Sequence, residues 1–357
     1  MAEERKLYLG GEWQGSPDKL KVENPYNNEV VATVSRATPE QIEAATARAE
    51  EAFGRTRRLP SHEREAILLR ISQGLLDRTE EIARTMAQEN GKPIRDARGE
   101  VARAVNTFKF AAEEAKRVGG EVIDLDWGPG SEGRYGIVRR FPIGPVLGIT
   151  PFNFPLNLVA HKVAPAIAAG CPIVVKPASA TPLSGLLRAE VCHDAGLLPG
   201  ALSMLPCSSQ VAEKMVVDER FKKITFTGST EVGLGIKAKA PNKHVTLELG
   251  GNAGVIVHSD ADLDYAVERC VPSSFYHAGQ SCISIQRIFV HERVCSRFLE
   301  GFLGATEKLK MGDPLSEDTD LGPMIDEKEA RRVESWVGEA LDGGAELLTG
   351  GKREGAF

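Results

Sequence analysis

Apolar positions along the chain fall into two rhythms, and their alternation is the first clue to the fold. Residues 7–34 read as short strands. Leu7-Tyr8-Leu9 turns at Gly10-Gly11 into Glu12-Trp13, and Asn24-Pro25-Tyr26-Asn27-Asn28 is turn chemistry ahead of Val30–Val34. This predicts an edge hairpin packed on the body of the protein. Residues 38–119 change to helical spacing. Thr38 can cap, Pro39 suits the first helical position, and Gln41 completes a capping box. A second helix is predicted from about Ser61, with Ile67, Leu68, Ile71 and Leu75 on one side. Asn90-Gly91-Lys92-Pro93 ends that run with a glycine stop followed by proline. A further helix is predicted over Ile94–Val118, with Val101, Val105 and Phe108 aligned. These helices read as a structural layer over a sheet and receive no chemistry.

Residues 120–145 break the pattern. Val122–Leu125 and Tyr135–Arg140 are strand-like and are joined through Gly128-Pro129-Gly130-Ser131. Two strands cannot bury both faces alone, so the excursion reads as an arm that packs on another subunit. From 146 to about 258 the two rhythms alternate. Strands are predicted at Val146–Ile149, Pro172–Val175, Leu202–Leu205, Ile224–Phe226, Thr246–Leu249 and Gly254–Val257. Helices are predicted near 157–169, 182–195, 209–217 and 229–239. This alternation implies an α/β fold with a parallel, doubly wound sheet. Ligands in such sheets bind beyond the carboxyl ends of the strands. Near the end of the chain, Ala345–Thr349 reads as one more strand.

Bulk properties narrow the function classes. The 357 residues suggest about two domains, and 42% hydrophobic with 26% charged residues is ordinary for a soluble protein. A net charge of −6 without basic runs argues against nucleic acid or an anionic membrane as partner. No stretch reaches the roughly 20 apolar residues of a membrane span, and the charged start Met1–Lys6 does not read as a secretory signal. Six cysteines (171, 192, 207, 270, 282 and 295) show no CxxC spacing, so neither a disulfide framework nor a metal site is expected. The expectation is a cytoplasmic protein with reduced thiols.

Candidate chemistry sits just after the apolar runs. The first run is followed by Thr150-Pro151-Phe152-Asn153-Phe154-Pro155. The Asn153 amide can donate to an oxygen developing negative charge, although asparagine beside proline is also ordinary turn chemistry. The second run ends in Lys176-Pro177-Ala178-Ser179, where a lysine on a rigid corner can meet ribose hydroxyls or a phosphate. Thr227-Gly228-Ser229-Thr230-Glu231-Val232-Gly233 is a strand, a glycine turn and a helix start, a phosphate-binding arrangement. Its G-x-T-x-x-G spacing is not the dinucleotide fingerprint. Glu248 ends the fifth run beside Gly250-Gly251. In a partly apolar site a carboxylate there would rise toward the pKa of a useful general base. Cys282 lies among small and polar residues in His277-Ala278-Gly279-Gln280-Ser281-Cys282-Ile283-Ser284. A cysteine alone is usually a small buried hydrophobe, and its partners decide whether it is a nucleophile.

Taken together, T-P-F-N-F-P at 150–155, V-V-K-P-A at 174–178, F-T-G-S-T-E-V-G at 226–233, L-E-L-G-G-N at 247–252 and G-Q-S-C at 279–282 resemble the NAD(P)-dependent aldehyde dehydrogenase superfamily. Order and spacing match along essentially the whole chain. The resemblance implies oxidation of an aldehyde to a carboxylic acid with NAD or NADP as cofactor. Cys282 would be the nucleophile, Asn153 with the Cys282 backbone N–H the oxyanion hole, and Glu248 the base that activates the hydrolytic water. Lys176, counted with the catalytic set, would meet the adenosine ribose together with Ser179, and Gly228, Ser229 and Gly233 the pyrophosphate side. Cofactor contacts are implied at Ile149, Thr150, Pro151, Phe152, Lys176, Ala178, Ser179, Gly228, Ser229, Val232, Gly233, Glu248, Leu249 and Gly250. Relatives preferring NAD often carry a glutamate where this chain has Ser179, so NADP is expected to be accepted. The implied organisation is an NAD(P)-binding domain from residues 1–119 and 146–249, a β-hairpin oligomerisation arm at 120–145, and the N-terminal part of an α/β catalytic domain at 250–357. A homodimer or homotetramer is implied for the full-length protein.

Two departures stand out. Pro206-Cys207-Ser208-Ser209 lacks the glycines of relatives, and the chain ends at Phe357 where relatives continue, which reads as a C-terminal truncation. Two other classes stay in view: a nucleotide-binding module impaired in catalysis, and a relative that passes the acyl group to coenzyme A, which the presence of Glu248 disfavours. The aldehyde itself is not readable. Phe152, Ser281 and Ile283 are expected to line its tunnel, and no arginine flanks Cys282.

Overall fold

The computed structural model describes residues 3–357. Its N-terminal strands are β1 (Glu3–Arg5), β2 (Leu7–Leu9), β3 (Glu12–Gln14), β4 (Lys19–Glu23) and β5 (Val30–Ser35). The β2–β3 hairpin caps one edge of the main sheet, as its turn chemistry predicts, while β1, β5 and β4 form a separate three-stranded sheet. Four helices follow: α1 (Pro39–Thr56), α2 (Ser61–Asp77), α3 (Thr79–Asn90) and α4 (Ile94–Ala115). The capping box of Thr38 and Gln41 forms in both directions. Gly91 ends α3 at φ 76°, in the left-handed region that glycine enters without steric cost. The run starting at Ser61 is interrupted at Arg78, which the apolar pattern does not reveal.

Next come β6 (Gly120–Asp124) and β7 (Tyr135–Arg139), an antiparallel pair standing apart from the other sheets. Val122 pairs with Ile137 across it, and the two are 68% and 65% exposed. Trp127 is 85% exposed beside them. The main sheet then builds from β8 (Val146–Ile149), β9 (Ile173–Lys176), β10 (Leu202–Met204), β11 (Lys223–Thr227) and β12 (His244–Glu248). Between them run α5 (Asn157–Ala168), α6 (Leu183–Asp194), α7 (Ser209–Val217) and α8 (Thr230–Lys239). The strand order is β12-β11-β8-β9-β10-β2-β3, with β12 through β10 parallel and the β2–β3 hairpin added antiparallel at the far edge. One apolar cluster fills the side of α2–α6 and a second fills the side of α1, α7 and α8, so the sheet is covered on both faces.

β13 (Ala253–Val257) does not extend this sheet. It pairs in parallel with β14 (Ile285–Val290) in a second sheet, correcting its place in the predicted series. Gly250 and Gly251 lead the chain away from β12. α9 (Leu263–Phe275) and α10 (Glu292–Thr306) cover the second sheet around Val257, Leu263, Cys270 and Phe298. α11 (Glu327–Asp342) follows. The strand predicted at Ala345–Thr349 does not form: the segment pairs with no strand among the described residues, and Leu347 and Leu348 stay exposed. All six cysteines are free thiols, and no described helix is long and apolar enough to cross a membrane.

Candidate active site

The sheet order creates the site. β8 lies between β9 and β11, and the chain winds outward from it in both directions. Ile149 is in register with Lys176 on one side and Phe226 on the other, while Thr227 pairs with Glu248. Four functional loops therefore leave one end of the sheet at the same level. A groove of about 510 Å³ opens there, where loops after adjacent strands diverge. It is lined by Ile149, Thr150, Pro151, Phe152, Lys176, Ala178, Ser179, Gly228, Ser229 and Val232, all named by the sequence as cofactor contacts.

Lys176 is buried in the groove floor and donates to the Pro177 carbonyl at 3.2 Å. Burial pushes its ammonium below the usual lysine range, with the nearby Cys207 pulling the other way. Ser229 precedes α8 but makes no side-chain cap bond, leaving first-turn N–H groups of α8 to solvent or a ligand. Gly228 is tight against the sheet: a Cβ there would lie 2.5 Å from the Phe226 ring. Gly233 does not line the groove. It is buried, and a Cβ on it would come within 2.5 Å of the Leu249 side chain, so its glycine serves close helix-to-sheet packing. Ser209, Glu213 and Lys239 close the far wall, and Lys239 is paired with Glu213 between α8 and α7. Sequence reasoning missed Glu213 and Lys239 because they lie on helix flanks rather than at strand ends, while Ser209 belongs to the loop already marked by its lack of glycines.

A second cleft of about 660 Å³ shares Pro151, Phe152, Gly228 and Ser229 with the groove. Asn153, Leu249, Gly250, Ser281 and Cys282 line it. The Cys282 thiol is free and exposed to it. Three successive left-handed residues, His277 (φ 52°), Ala278 (φ 53°) and Gly279 (φ 74°), turn the chain between α9 and the thiol. Two of them are not glycine, so this turn carries backbone strain held by its surroundings. Gln280 supplies part of the hold, donating to the His277 carbonyl at 3.1 Å and accepting from the Ile325 N–H at 3.0 Å. Gly251 supplies the closest approach: a Cβ there would sit 2.4 Å from the Cys282 carbonyl oxygen. The second glycine of L-E-L-G-G therefore exists to admit the thiol-bearing loop.

Asn153 reaches the same loop. Its side-chain amide donates to the Gln280 carbonyl at 2.9 Å, while its Oδ1 is buried without a partner. Glu248 stands differently from its expected setting. It is exposed and lines neither cavity, because β12 is the outermost strand of the sheet and is only partly covered. Its main chain is fixed by the Gly228 N–H, which donates to the Glu248 carbonyl at 3.0 Å.

A family model described as the aldehyde dehydrogenase family matches residues 13–357. The chain belongs to the aldehyde dehydrogenase family. It is 45% identical over 352 residues to a 3-sulfolactaldehyde dehydrogenase of Priestia aryabhattai, covering 98% of this chain and 73% of that protein. It is 39% identical over 360 residues to a glutarate-semialdehyde dehydrogenase of Pseudomonas putida, covering 99% and 74%. Among solved structures, aldehyde dehydrogenase 21 of Physcomitrella patens, in complex with the reaction product succinate, superposes with a TM-score of 0.97 at 50% identity. That match covers 100% of this chain and 75% of the moss protein. An NADP-dependent glyceraldehyde-3-phosphate dehydrogenase of Bacillus halodurans, complexed with NADP, superposes at 0.95 with 34% identity, covering 99% and 75%.

This aldehyde dehydrogenase also holds buried polar residues behind the site that the sequence did not single out. Asn90 donates to the Phe152 carbonyl at 2.7 Å. Lys92 donates to the Asn153 carbonyl at 2.8 Å and pairs with Glu100 in full burial. Glu89, also fully buried, accepts from the Leu183 and Ser184 N–H groups at 2.7 and 2.8 Å, and burial pushes its carboxyl up to about 7. Lys162 on α5 donates to Thr227 Oγ1 at 2.7 Å and to Thr225 Oγ1 at 3.3 Å. Burial lowers its ammonium to about 8, against the pull of Glu248. No motif marked these groups, because their partners lie far away in sequence.

Lys162 gives a pH test. Its folded value lies below the ordinary 10.5, so between about pH 8 and 10.5 the unfolded chain binds more protons than the fold. Stability contributed by this group therefore rises with pH across that window. Denaturant titrations at pH 8 and pH 10 should show a smaller rise, or a steeper fall, in Lys162→Met than in wild type. Identical pH slopes in the two proteins would refute the assignment.

Proposed function

We propose that this aldehyde dehydrogenase oxidises an aldehyde to its carboxylic acid through a covalent adduct on Cys282, with NAD or NADP held in the adjoining groove. The observation that carries the reading is the shared wall: Pro151, Phe152, Gly228 and Ser229 border both the groove and the thiol cleft. A cofactor in one chamber then meets a substrate in the other across that wall.

The groove residues suit a dinucleotide. Buried Lys176 offers an ammonium to ribose hydroxyls, with Ser179 beside it. The uncapped start of α8, at Gly228, Ser229 and Val232, offers N–H donors to phosphate oxygens. Ser179 carries no charge to repel a 2′-phosphate, which supports acceptance of NADP. Residues 1–119 and 146–249 make up the cofactor unit in this reading, and 250–357 belong to the catalytic unit.

The chemistry follows from the thiol outward. The Cys282 thiolate attacks the carbonyl carbon, and the C=O electron pair moves to oxygen, giving a thiohemiacetal anion. A carboxamide has two N–H donors. Asn153 commits one to Gln280, and the other is free for the oxyanion together with the Cys282 backbone N–H. An oxidised nicotinamide cofactor held in the groove by Lys176, Ser179 and the start of α8 would supply a hydride acceptor, and loss of hydride from the adduct carbon leaves a thioester on Cys282. Glu248 then accepts a proton from water as the water attacks the thioester carbon, and the C–S bond breaks to release acid and thiolate. The relatives named for sulfolactaldehyde and glutarate semialdehyde support a short aldehyde carrying a second, anionic group. Free thiols throughout support a cytoplasmic setting. The apolar strip of β6 and β7 supports an arm that joins a second copy of the chain.

With a panel of succinic semialdehyde and unsubstituted aldehydes, Cys282→Ala should abolish NAD(P)H formation while still binding cofactor by calorimetry. Glu248→Gln should leave an acyl adduct on Cys282, visible by intact-protein mass spectrometry. Wild-type rates in Cys282→Ala would end the proposal. For cofactor choice, Ser179→Glu should raise KM for NADP at least tenfold relative to NAD; an unchanged ratio would count against the role given to Ser179. For the arm, light scattering should report a multiple of the chain mass for wild type and a lower mass for Ile137→Lys. Equal masses would remove the arm from assembly.

A further inference from the structure

The most unusual electrostatic feature outside the proposed catalytic set is the ion pair of Lys92 and Glu100. Both side chains are fully buried. Removing charges from water is costly, and such a pair is often no more stabilising than apolar residues of similar volume. Its retention calls for another explanation, and its further contacts supply one.

The two carboxylate oxygens of Glu100 divide their work. One accepts from Lys92. The other accepts from the N–H groups of Leu156 and Asn157, at 3.0 and 2.9 Å. Leu156 cannot cap α5 with its own side chain, so a carboxylate from α4 caps it instead. The ammonium of Lys92 is equally committed. It donates to the Asn153 carbonyl at 2.8 Å, and lies 4.1 Å from the centroid of the Phe154 ring and 5.9 Å from that of Tyr276. Those two rings stack at 5.9 Å and 10°. Tyr276 opens the strained turn that ends at Cys282.

One buried cation therefore touches both loops that meet at the reacting carbon. It holds the main chain of Asn153 and faces the aromatic pair joining the Asn153 loop to the thiol loop. We propose that Lys92 is a positioning residue for aldehyde oxidation: anchored by Glu100, it fixes the Asn153 carbonyl and thereby aims the Asn153 amide at the substrate oxygen on Cys282. This rests on the reading of Asn153 as oxyanion donor. Lys92 touches no substrate, and its effect passes wholly through Asn153 and the turn at Tyr276. A lysine that merely stabilised the fold would leave the contribution of Asn153 intact.

The full chain is compared as wild type, Lys92→Met, Asn153→Ala and the double variant. Asn153→Ala should lower kcat by about 10²- to 10³-fold, the usual loss for one oxyanion donor. Lys92→Met should lower kcat at least tenfold, with cofactor Kd within twofold. The double variant should be no more than twofold slower than Asn153→Ala, because the second substitution has nothing left to misalign. Hydrogen–deuterium exchange gives a readout independent of turnover: Lys92→Met should exchange at least tenfold faster over 151–157 and 276–284, and equally over 223–248. Losses that multiply in the double variant, or unchanged exchange in both segments, would overturn the inference. A wild-type rate in Asn153→Ala would instead overturn the reading of the donor. If Lys92→Met does not fold, Lys92→Arg carries the same cycle, since a planar, longer head cannot occupy the ammonium site unchanged.

Discussion

The ammonium of Lys92 has no water to turn to. In full burial every one of its interactions must come from the protein, and they come from the Glu100 carboxylate, the Asn153 carbonyl and the face of Phe154. That requirement ties the corner between α3 and α4 to the loop after β8 and to the start of α5. Glu89 repeats the device one residue before Asn90, capping α6 from the end of α3. Two successive helices, α5 and α6, thus take their N-terminal caps from a layer that precedes them in the chain. The loops at the sheet's edge are held from behind, where a ligand would not disturb them.

Topology does the rest of the positioning. Parallel neighbours with matched register bring Ile149, Lys176, Phe226 and Leu247 to one level, with Thr227 and Glu248 one residue beyond. Residues only a few positions beyond these ends then form two connected cavities. The glycines at 228, 233 and 251 let backbone approach ring, helix approach sheet and one loop approach another, each closer than a Cβ would permit. They are spacers for other groups rather than sites in their own right.

Much of this was readable from residue order alone, for a physical reason. Short apolar runs bounded by turn residues mark strand ends, and strand ends are where α/β sheets bind. Hence Lys176, Gly228 and Ser229 are marked by strand ends and Ser179 by the family resemblance, and all four line one groove. Three kinds of feature were out of reach. Lys92 and Asn153 are 61 residues apart, and no local pattern encodes such a pair. The apolar run before Glu248 predicts a partly enclosed carboxylate, yet that run belongs to an outermost strand. Ala345–Thr349 has strand composition, but composition cannot supply a neighbouring strand to pair with.

The wall common to the two cavities has a thermodynamic meaning of its own. Pro151 and Phe152 from one loop, and Gly228 and Ser229 from another, border two different cavities. Any adjustment of that wall by an occupant of one chamber changes the shape seen by an occupant of the other. The resulting change in affinity has to be the same factor in both directions. The coupling between the two occupants is then a property of one thin partition, not of either chamber taken separately.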